Sequence, residues 1–257
     1  MTLSIKHQKA AMRSLPLISR VQRVRHEIRR RTVEVVRVET ITPHCRSVTF
    51  HDESFADFIS ASFDDHVKFI LDADGATPVM RDYTPRRFDA AKRELTIEFA
   101  LHGDGPVADW AAQASPGQRV TIAGPRGSMI VPMDYDWHLF IADETGLPAI
   151  ARRLEELPAG AHALVFAQVD DAADRRAFET KADLTTRWFG DTSAVIDAVR
   201  AIDLPIGEGY AWGAGEADAM ATLRRVLVDE KGHHRHAIRA AAYWKQGAIA
   251  HHENLEG

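Results

Sequence analysis

Two periodicities divide the chain. Between Thr32 and Ala123, apolar and β-branched residues recur in short runs separated by turn signals. Runs at Thr32–Ile41, Arg46–Phe50, His66–Leu71, Val79–Phe88, Glu94–Leu101 and Arg119–Ala123 predict six strands. Asp72 to Gly75 and the Gly124, Pro125 pair supply turns. A single helix, Pro106 to Ala114, interrupts them and stops before Pro116 and Gly117. This half therefore reads as an antiparallel barrel or sandwich.

After Pro132 the pattern changes. Strands are expected at Trp137–Ala142, His162–Gln168, Gly209–Trp212 and Ile238–Trp244. Helices are expected at Leu147–Leu157, Thr192–Ala201 and Ala217–Asp229. Alternation of this kind predicts a parallel, doubly wound sheet. The expected division is an extension over 1–28, a β unit over 29–132 and an α/β unit over 136–257. Parallel sheets bind ligands at the carboxyl ends of their strands, and a preceding β unit offers a second ligand surface across the crevice.

Composition narrows the field. The chain has 257 residues, 45% of them hydrophobic, which is ample for a buried core. Its longest uncharged stretch, Leu157 to Val169, is far shorter than the roughly 20 apolar residues of a spanning helix. A single cysteine, Cys45, leaves no disulfide framework or zinc ribbon. The chain is expected to be a soluble, cytoplasmic monomer that does not insert into membranes.

The net charge of -5 conceals an asymmetry. Residues 1–31 hold nine basic side chains against Glu27 alone, a net +8, so the remainder carries -13. An arm of this kind could serve nucleic acid, an anionic surface or targeting. It has no aromatic residue for base stacking and no long apolar core for secretion, so a frayed or partly helical surface extension is expected, with no nucleic-acid partner.

Candidate chemistry begins at Arg81, Asp82, Tyr83 and Thr84. On a strand, Arg81 and Tyr83 share one face. An arginine can clamp a diphosphate and an aromatic ring can lie on a flat heterocycle. From Leu101 to Ala111 a strand closes, turns on Gly103 and Gly105, and opens a helix at Pro106. Glycines let backbone amides approach a ligand, and the start of a helix favours anions. There is neither a Walker loop nor a GxGxxG fingerprint.

Six motifs occur in order: Arg81 to Phe88; His102 to Pro106 with Trp110 and Ala111; Gly124 to Ser128; Ala142 to Ala149; Trp212 with Gly215 and Glu216; and Tyr243 to Gly247. Together they resemble the siderophore-interacting proteins, flavin-dependent ferric-siderophore reductases of the ferredoxin-reductase-like superfamily. The resemblance covers roughly residues 29–257. It implies a six-stranded FAD-binding barrel followed by an NAD(P)H-binding α/β domain. It also implies electron flow from NADH or NADPH through FAD to iron in an anionic ferric siderophore, with a ferredoxin as an alternative donor.

By this resemblance, Arg81, Tyr83 and Thr84 hold the flavin and its phosphates, and His102, Gly103, Gly105, Pro106 and Trp110 form the second flavin contact. Asp143 and Thr145 stand at the crevice, and Gly213, Gly215 and Glu216 near the nicotinamide cofactor. Lys68, Arg126 and Lys245 match a basic triad for the chelate, while His251 and His252 lie after the last strand, at the pocket or in a tail. The pattern is broken in three places: Gly146 replaces an expected Ala, Val107 an Ala, and Lys245 with Gln246 an Arg pair. The departure at Lys245 and Gln246 touches the expected substrate pocket.

No protein metal ligand is expected, because the iron arrives chelated; His233, His234 and His236 read as a helix-end cluster. Asp170 and Asp171 would favour NADH, while Arg175 and Arg176 would suit a 2′-phosphate. Tyr243 or Trp244 lies either near the flavin or in the core. Two other readings remain: a general flavin or electron-transfer reductase of this fold, and a non-catalytic siderophore-binding protein.

Overall fold

A computed structural model of the chain describes residues 20–75, 77–101 and 105–247, and the strand at 253–254. His102, Gly103, His251 and His252 lie outside the described residues. The antiparallel unit contains β2 (Arg30–Thr42), β3 (Cys45–His51), β4 (Val67–Leu71), β5 (Val79–Tyr83), β6 (Arg87–Asp89), β7 (Glu94–Ala100) and β8 (Arg119–Ala123). They form one seven-stranded sheet in the order β5-β4-β8-β2-β3-β7-β6. Among the described residues no ladder closes its two end strands on each other.

Alternation explains how this sheet makes a core. Val33 and Val35 of β2, Val48 and Phe50 of β3, Val67 and Phe69 of β4, Leu95, Ile97 and Phe99 of β7, and Val120 and Ile122 of β8 meet in one buried cluster. Helix α1 (Pro106–Ala112) adds Val107 and Ala111 to it. Each fully buried phenylalanine contributes on the order of 2–3 kcal/mol of transfer free energy. The run expected as one strand from Val79 to Phe88 is two, because Thr84, Pro85 and Arg86 turn the chain between β5 and β6. Proline has no N–H for the ladder, so the pairing breaks there.

The α/β unit contains β10 (Trp137–Ala142), α2 (Leu147–Glu156), β11 (His162–Gln168), β12 (Asp183–Phe189), α3 (Thr192–Ala201), β13 (Gly209–Glu216), α4 (Ala217–Arg225) and β14 (Ile238–Trp244). Five strands run parallel in the order β12-β11-β10-β13-β14, and β15 (Glu253–Asn254) adds an antiparallel edge. Strand β10 is buried along its whole length, as a central strand covered on both faces must be. One core cluster lies on the α2 side of this sheet and another beneath α3 and α4.

The expected frayed extension needs correction. Residues 22–25 form a strand, β1 (Gln22–Arg25), paired antiparallel with β9 (Gly127–Ile130). All four β1 residues are exposed, so backbone hydrogen bonding holds this strand and no apolar pattern marks it.

Candidate functional site

Strand β5 lies beside β4 with Arg81 opposite Phe69, Asp82 opposite Lys68 and Tyr83 opposite Val67. The Tyr83 ring packs on Phe99 at 4.5 Å and Phe69 at 5.9 Å between centroids. Trp110, one helical turn past Gly105, packs on Phe69 at 4.8 Å and Phe99 at 5.8 Å. The two predicted flavin contacts thus share one aromatic base. Burial pushes the Tyr83 phenol upward, so it stays protonated as a hydrogen-bonding group.

Thr84 is buried, and the next residue, Pro85, accepts through its carbonyl from Arg152 of the other unit at 2.8 Å. The Arg81 guanidinium donates to the Met80 carbonyl at 2.8 Å on the exposed side. A Cβ built on Gly105 would meet nothing within 4 Å. An aromatic base, an accessible guanidinium and open space at a glycine suit a flavin with its diphosphate, so the residues present fit FAD.

On the α/β side, strand order reverses between β10 and β13; Asp143 and Thr145 follow the end of β10, and Gly213, Gly215 and Glu216 lie in the C-terminal half of β13. Asp143 accepts from the Thr145 amide at 2.9 Å, from the Thr145 hydroxyl and from Trp244 Nε1 at 2.8 Å. Gly215 faces this carboxylate: a Cβ there would lie 2.6 Å from Asp143 Oδ2. Gly213 is similarly tight, 3.2 Å from the Met220 sulfur. Glu216 accepts from the Asp218 and Ala219 amides and caps α4, so its carboxylate already has a structural task.

The expected basic triad has unequal members. Lys68 Nζ donates to Asp82 Oδ2 at 2.7 Å, so its charge is matched within the β4–β5 ladder. Arg126 and Lys245 are exposed. Arg176, one of the residues suited to a 2′-phosphate, is instead bound to buried Glu98 at 2.7 Å, whereas Arg175 is exposed. Asp171 caps the short turn at Ala172–Asp174. The His233 ring bonds to the Ala237 carbonyl at 2.9 Å.

Sequence reading missed the contacts between units. Asp64, before β4, accepts from Trp212 Nε1 of β13 at 3.0 Å and pairs with Arg239 of β14. Arg152 of α2 donates to the carbonyls of Ser60 at 2.9 Å and Pro85 at 2.8 Å. Arg86 joins Glu98 of β7 to Glu155 of α2, each at 3.0 Å. Partners so distant in the chain leave no local signal.

A crevice between the units is lined by Cys45 and Ala100 on one side and Glu144, Leu147 and Arg176 on the other. His44 and Asp174 bridge it at 2.8 Å. Burial pushes the Cys45 thiol up to about 12, with Glu98 adding to the shift, so it is held as an unreactive thiol.

Comparison with known proteins accounts for most of the chain. A family described as siderophore-interacting protein matches residues 135–247, and the siderophore-interacting FAD-binding domain matches 34–77 and 72–129. An NADPH-dependent ferric-chelate reductase of Escherichia coli is 34% identical over 245 residues, covering 87% of this chain and 96% of that protein. A ferric vibriobactin reductase of Vibrio cholerae is 33% identical over 68% of this chain and 69% of its own. The crystal structure of a siderophore utilization protein from T. fusca superposes with a TM-score of 0.84 at 34% identity, covering 90% of this chain and 99% of that one. With its motifs in order on a matching two-unit fold, this chain belongs to the siderophore-interacting protein family.

Proposed function

We propose that the protein is an FAD-dependent reductase that passes electrons from NAD(P)H to ferric iron held in a siderophore. The observation that carries this reading is the meeting of the two units. The Arg81, Tyr83 and Trp110 surface of one runs into the Pro85 corner, whose carbonyl accepts from Arg152 of the other. Residues 29–132 are then the flavin domain, its curled sheet the expected six-stranded barrel with β6 as an addition. Residues 136–257 are the nicotinamide-nucleotide domain, and residues 1–28 the extension.

The chemistry supplied by bound FAD is acceptance of a hydride's two electrons and their delivery one at a time. The residues of the chain bind and orient. Arg81 balances diphosphate charge, Tyr83 and Trp110 support the flat ring system, Thr84 stands beside them, and the Pro85 carbonyl ties that site to Arg152 of α2. Thr145, held by Asp143, and the backbone at Gly213 and Gly215 border the nicotinamide. Arg126 and Lys245, with Lys68 set by Asp82, border the anionic chelate. His102, Gly103, His251 and His252 belong to the same proposal as flavin and chelate contacts. One NAD(P)H reduces two ferric ions and yields NAD(P)+, a proton and two ferrous ions. Ferrous iron is a poorer match for hard oxygen ligands, which favours its release.

The test is an anaerobic titration of the purified protein. A flavin spectrum that bleaches with NADPH or NADH, and returns with ferric chelate as two ferrous ions form per nucleotide oxidised, is expected. A protein that retains no flavin, or whose bleached form is not reoxidised by any ferric chelate, overturns the reading. Reduced ferredoxin in place of nucleotide identifies the preferred donor.

A further inference from the structure

A short segment ahead of β4 leaves the antiparallel unit and enters the core of the α/β unit. The Phe63 ring is buried there, 5.5 Å from the Trp212 ring and 6.2 Å from that of Phe140 between centroids. Asp64 follows it inward and is almost wholly buried. Trp212 of β13 and Arg239 of β14 are direct partners in the parallel ladder. One carboxylate holds both of them. Asp64 Oδ1 accepts from Trp212 Nε1 at 3.0 Å, and Oδ2 pairs with the Arg239 guanidinium. Arg239 also donates to the sulfur of Met129 in β9 at 2.7 Å.

Behind Asp64 the segment is fixed to its own unit. Asp65 accepts from the Ser60 hydroxyl at 2.9 Å, the Ser62 amide at 3.1 Å and the Ser128 hydroxyl at 2.8 Å. The chain then enters β4, where Val67 stands opposite Tyr83. On the other side of the carboxylate, Gly213 and Gly215 follow Trp212 in β13, and Trp244 ends β14, donating to Asp143 at 2.8 Å. Asp64 therefore stands a few residues from the proposed flavin surface and one partner away from the strand ends proposed to border the nicotinamide.

Stability alone gives little reason for a charge in this place. Desolvation offsets most of the attraction within a buried carboxylate–guanidinium pair, and apolar residues of like size often serve as well. Such a pair does fix direction, because charge-assisted hydrogen bonds hold their partners at set distances and angles.

We propose that Asp64 is a positioning residue for hydride transfer. Acting through Trp212 and Arg239, it sets the ends of β13 and β14 against the flavin surface, so that the nicotinamide is held at reacting distance. The inference rests on the reductase reading above. In that step a nicotinamide C–H bond breaks, its electron pair passes with the hydrogen to the flavin, and NAD(P)+ is left. A misplacement of about 1 Å can cost on the order of 100-fold in such a step. Electron delivery to chelated iron transfers no atom and is less exacting.

The experiment measures the two half-reactions of the full-length, flavin-loaded protein separately, by anaerobic stopped-flow. Flavin is reduced with saturating NADPH or NADH, and dithionite-reduced flavin is reoxidised with ferric citrate. Asp64→Asn keeps an acceptor for Trp212 and withdraws the charge from Arg239. Combining it with Arg239→Met leaves neither charge unpaired, so this double variant is expected to keep a urea midpoint near that of the unmodified protein. Both variants should slow flavin reduction roughly ten- to a hundredfold, with reoxidation within about twofold of the unmodified rate. Hydrogen exchange, read with no nucleotide or chelate present, should quicken roughly tenfold over residues 213–216 and stay unchanged in β4.

Asp64→Asn alone carries the test if the double variant does not fold. In a folded variant, flavin reduction at the unmodified rate, equal slowing of both half-reactions, or unchanged exchange over residues 213–216 overturns the proposal. If neither nucleotide reduces the flavin of the unmodified protein, the reductase reading falls, and the role of Asp64 falls with it.

Discussion

Gly146 shows how one residue adapts to its neighbours. A Cβ at this position would lie 2.6 Å from the Ala142 Cβ and 3.3 Å from that of Ala214, so the alanine expected there has no space in this chain. Gly215 is under the same constraint, but against a group that has work to do. Its missing Cβ is replaced by the carboxylate of Asp143, which in turn holds Thr145 and Trp244. Gly215→Ala should displace that carboxylate. A loss of about 1–3 kcal/mol in denaturant unfolding is expected from overpacking, together with a higher KM for nicotinamide nucleotide. Unchanged nucleotide KM in a folded variant would show that the Asp143 cluster does not border the cofactor.

The corner between β5 and β6 is the element on which the proposed flavin surface depends. The Pro85 carbonyl accepts from Arg152, and Arg86 joins Glu98 to Glu155. Burial by itself would lower the Arg86 pKa, but the facing carboxylates of Glu155 and Glu98 outweigh it and hold the charge. Glu98 is almost wholly buried and also bonds Arg176. Arg86→Ala leaves these carboxylates short of a partner inside the protein. The expected cost is about 3–5 kcal/mol, read as a lower urea midpoint at unchanged m-value, with weaker flavin retention. A midpoint shifted by less than about 1 kcal/mol would mean that water replaces the arginine and that the corner is held by its other bonds.

Across the whole molecule, ion pairs couple the two units. The buried Asp64–Arg239 pair and the His44–Asp174 pair each join one unit to the other. The hydrogen bond to Asp174, followed by its charge, raises the His44 pKa. Burial would raise the Asp174 pKa, but the hydrogen bonds it accepts from the backbone and ring of His44 help to bring it below the ordinary value. The sign follows from both shifts. The histidine contribution is complete below the ordinary value of about 6.5 and fades as pH rises through the raised one. The aspartate contribution fades only in acid, as pH falls through its depressed value. His44→Ala should therefore lower the Tm more at about pH 6 than at about pH 9. Equal losses at both pH values would show that packing, not charge, carries the link.

Much of this architecture is legible locally. Strands with one buried face, such as β3 and β7, announce themselves by alternation, and the contiguous Arg81 to Thr84 motif carries its own strand context. Edge elements do not. Strand β12 is half exposed, β6 has three residues, and β1 buries no side chain, so hydrophobic patterning has nothing to record. The candidate site divides in the same way. Arg81, Tyr83 and Trp110 follow from motif and spacing, whereas Asp64 meeting Trp212 depends on partners 148 residues apart.

The amino-acid sequence by itself determined the two kinds of sheet, their order, and the residues that mark a flavoprotein of this family. These depend on side-chain alternation and on motifs a few residues long. Only the tertiary structure decided which charges are spent inside the protein and which face outward. Lys68 is matched by Asp82 and Arg176 by Glu98, while Arg126 and Lys245 are left exposed. The physical reason is that a charge is neutralised by whatever stands within a few ångströms of it, and strand register sets that neighbour across long stretches of chain.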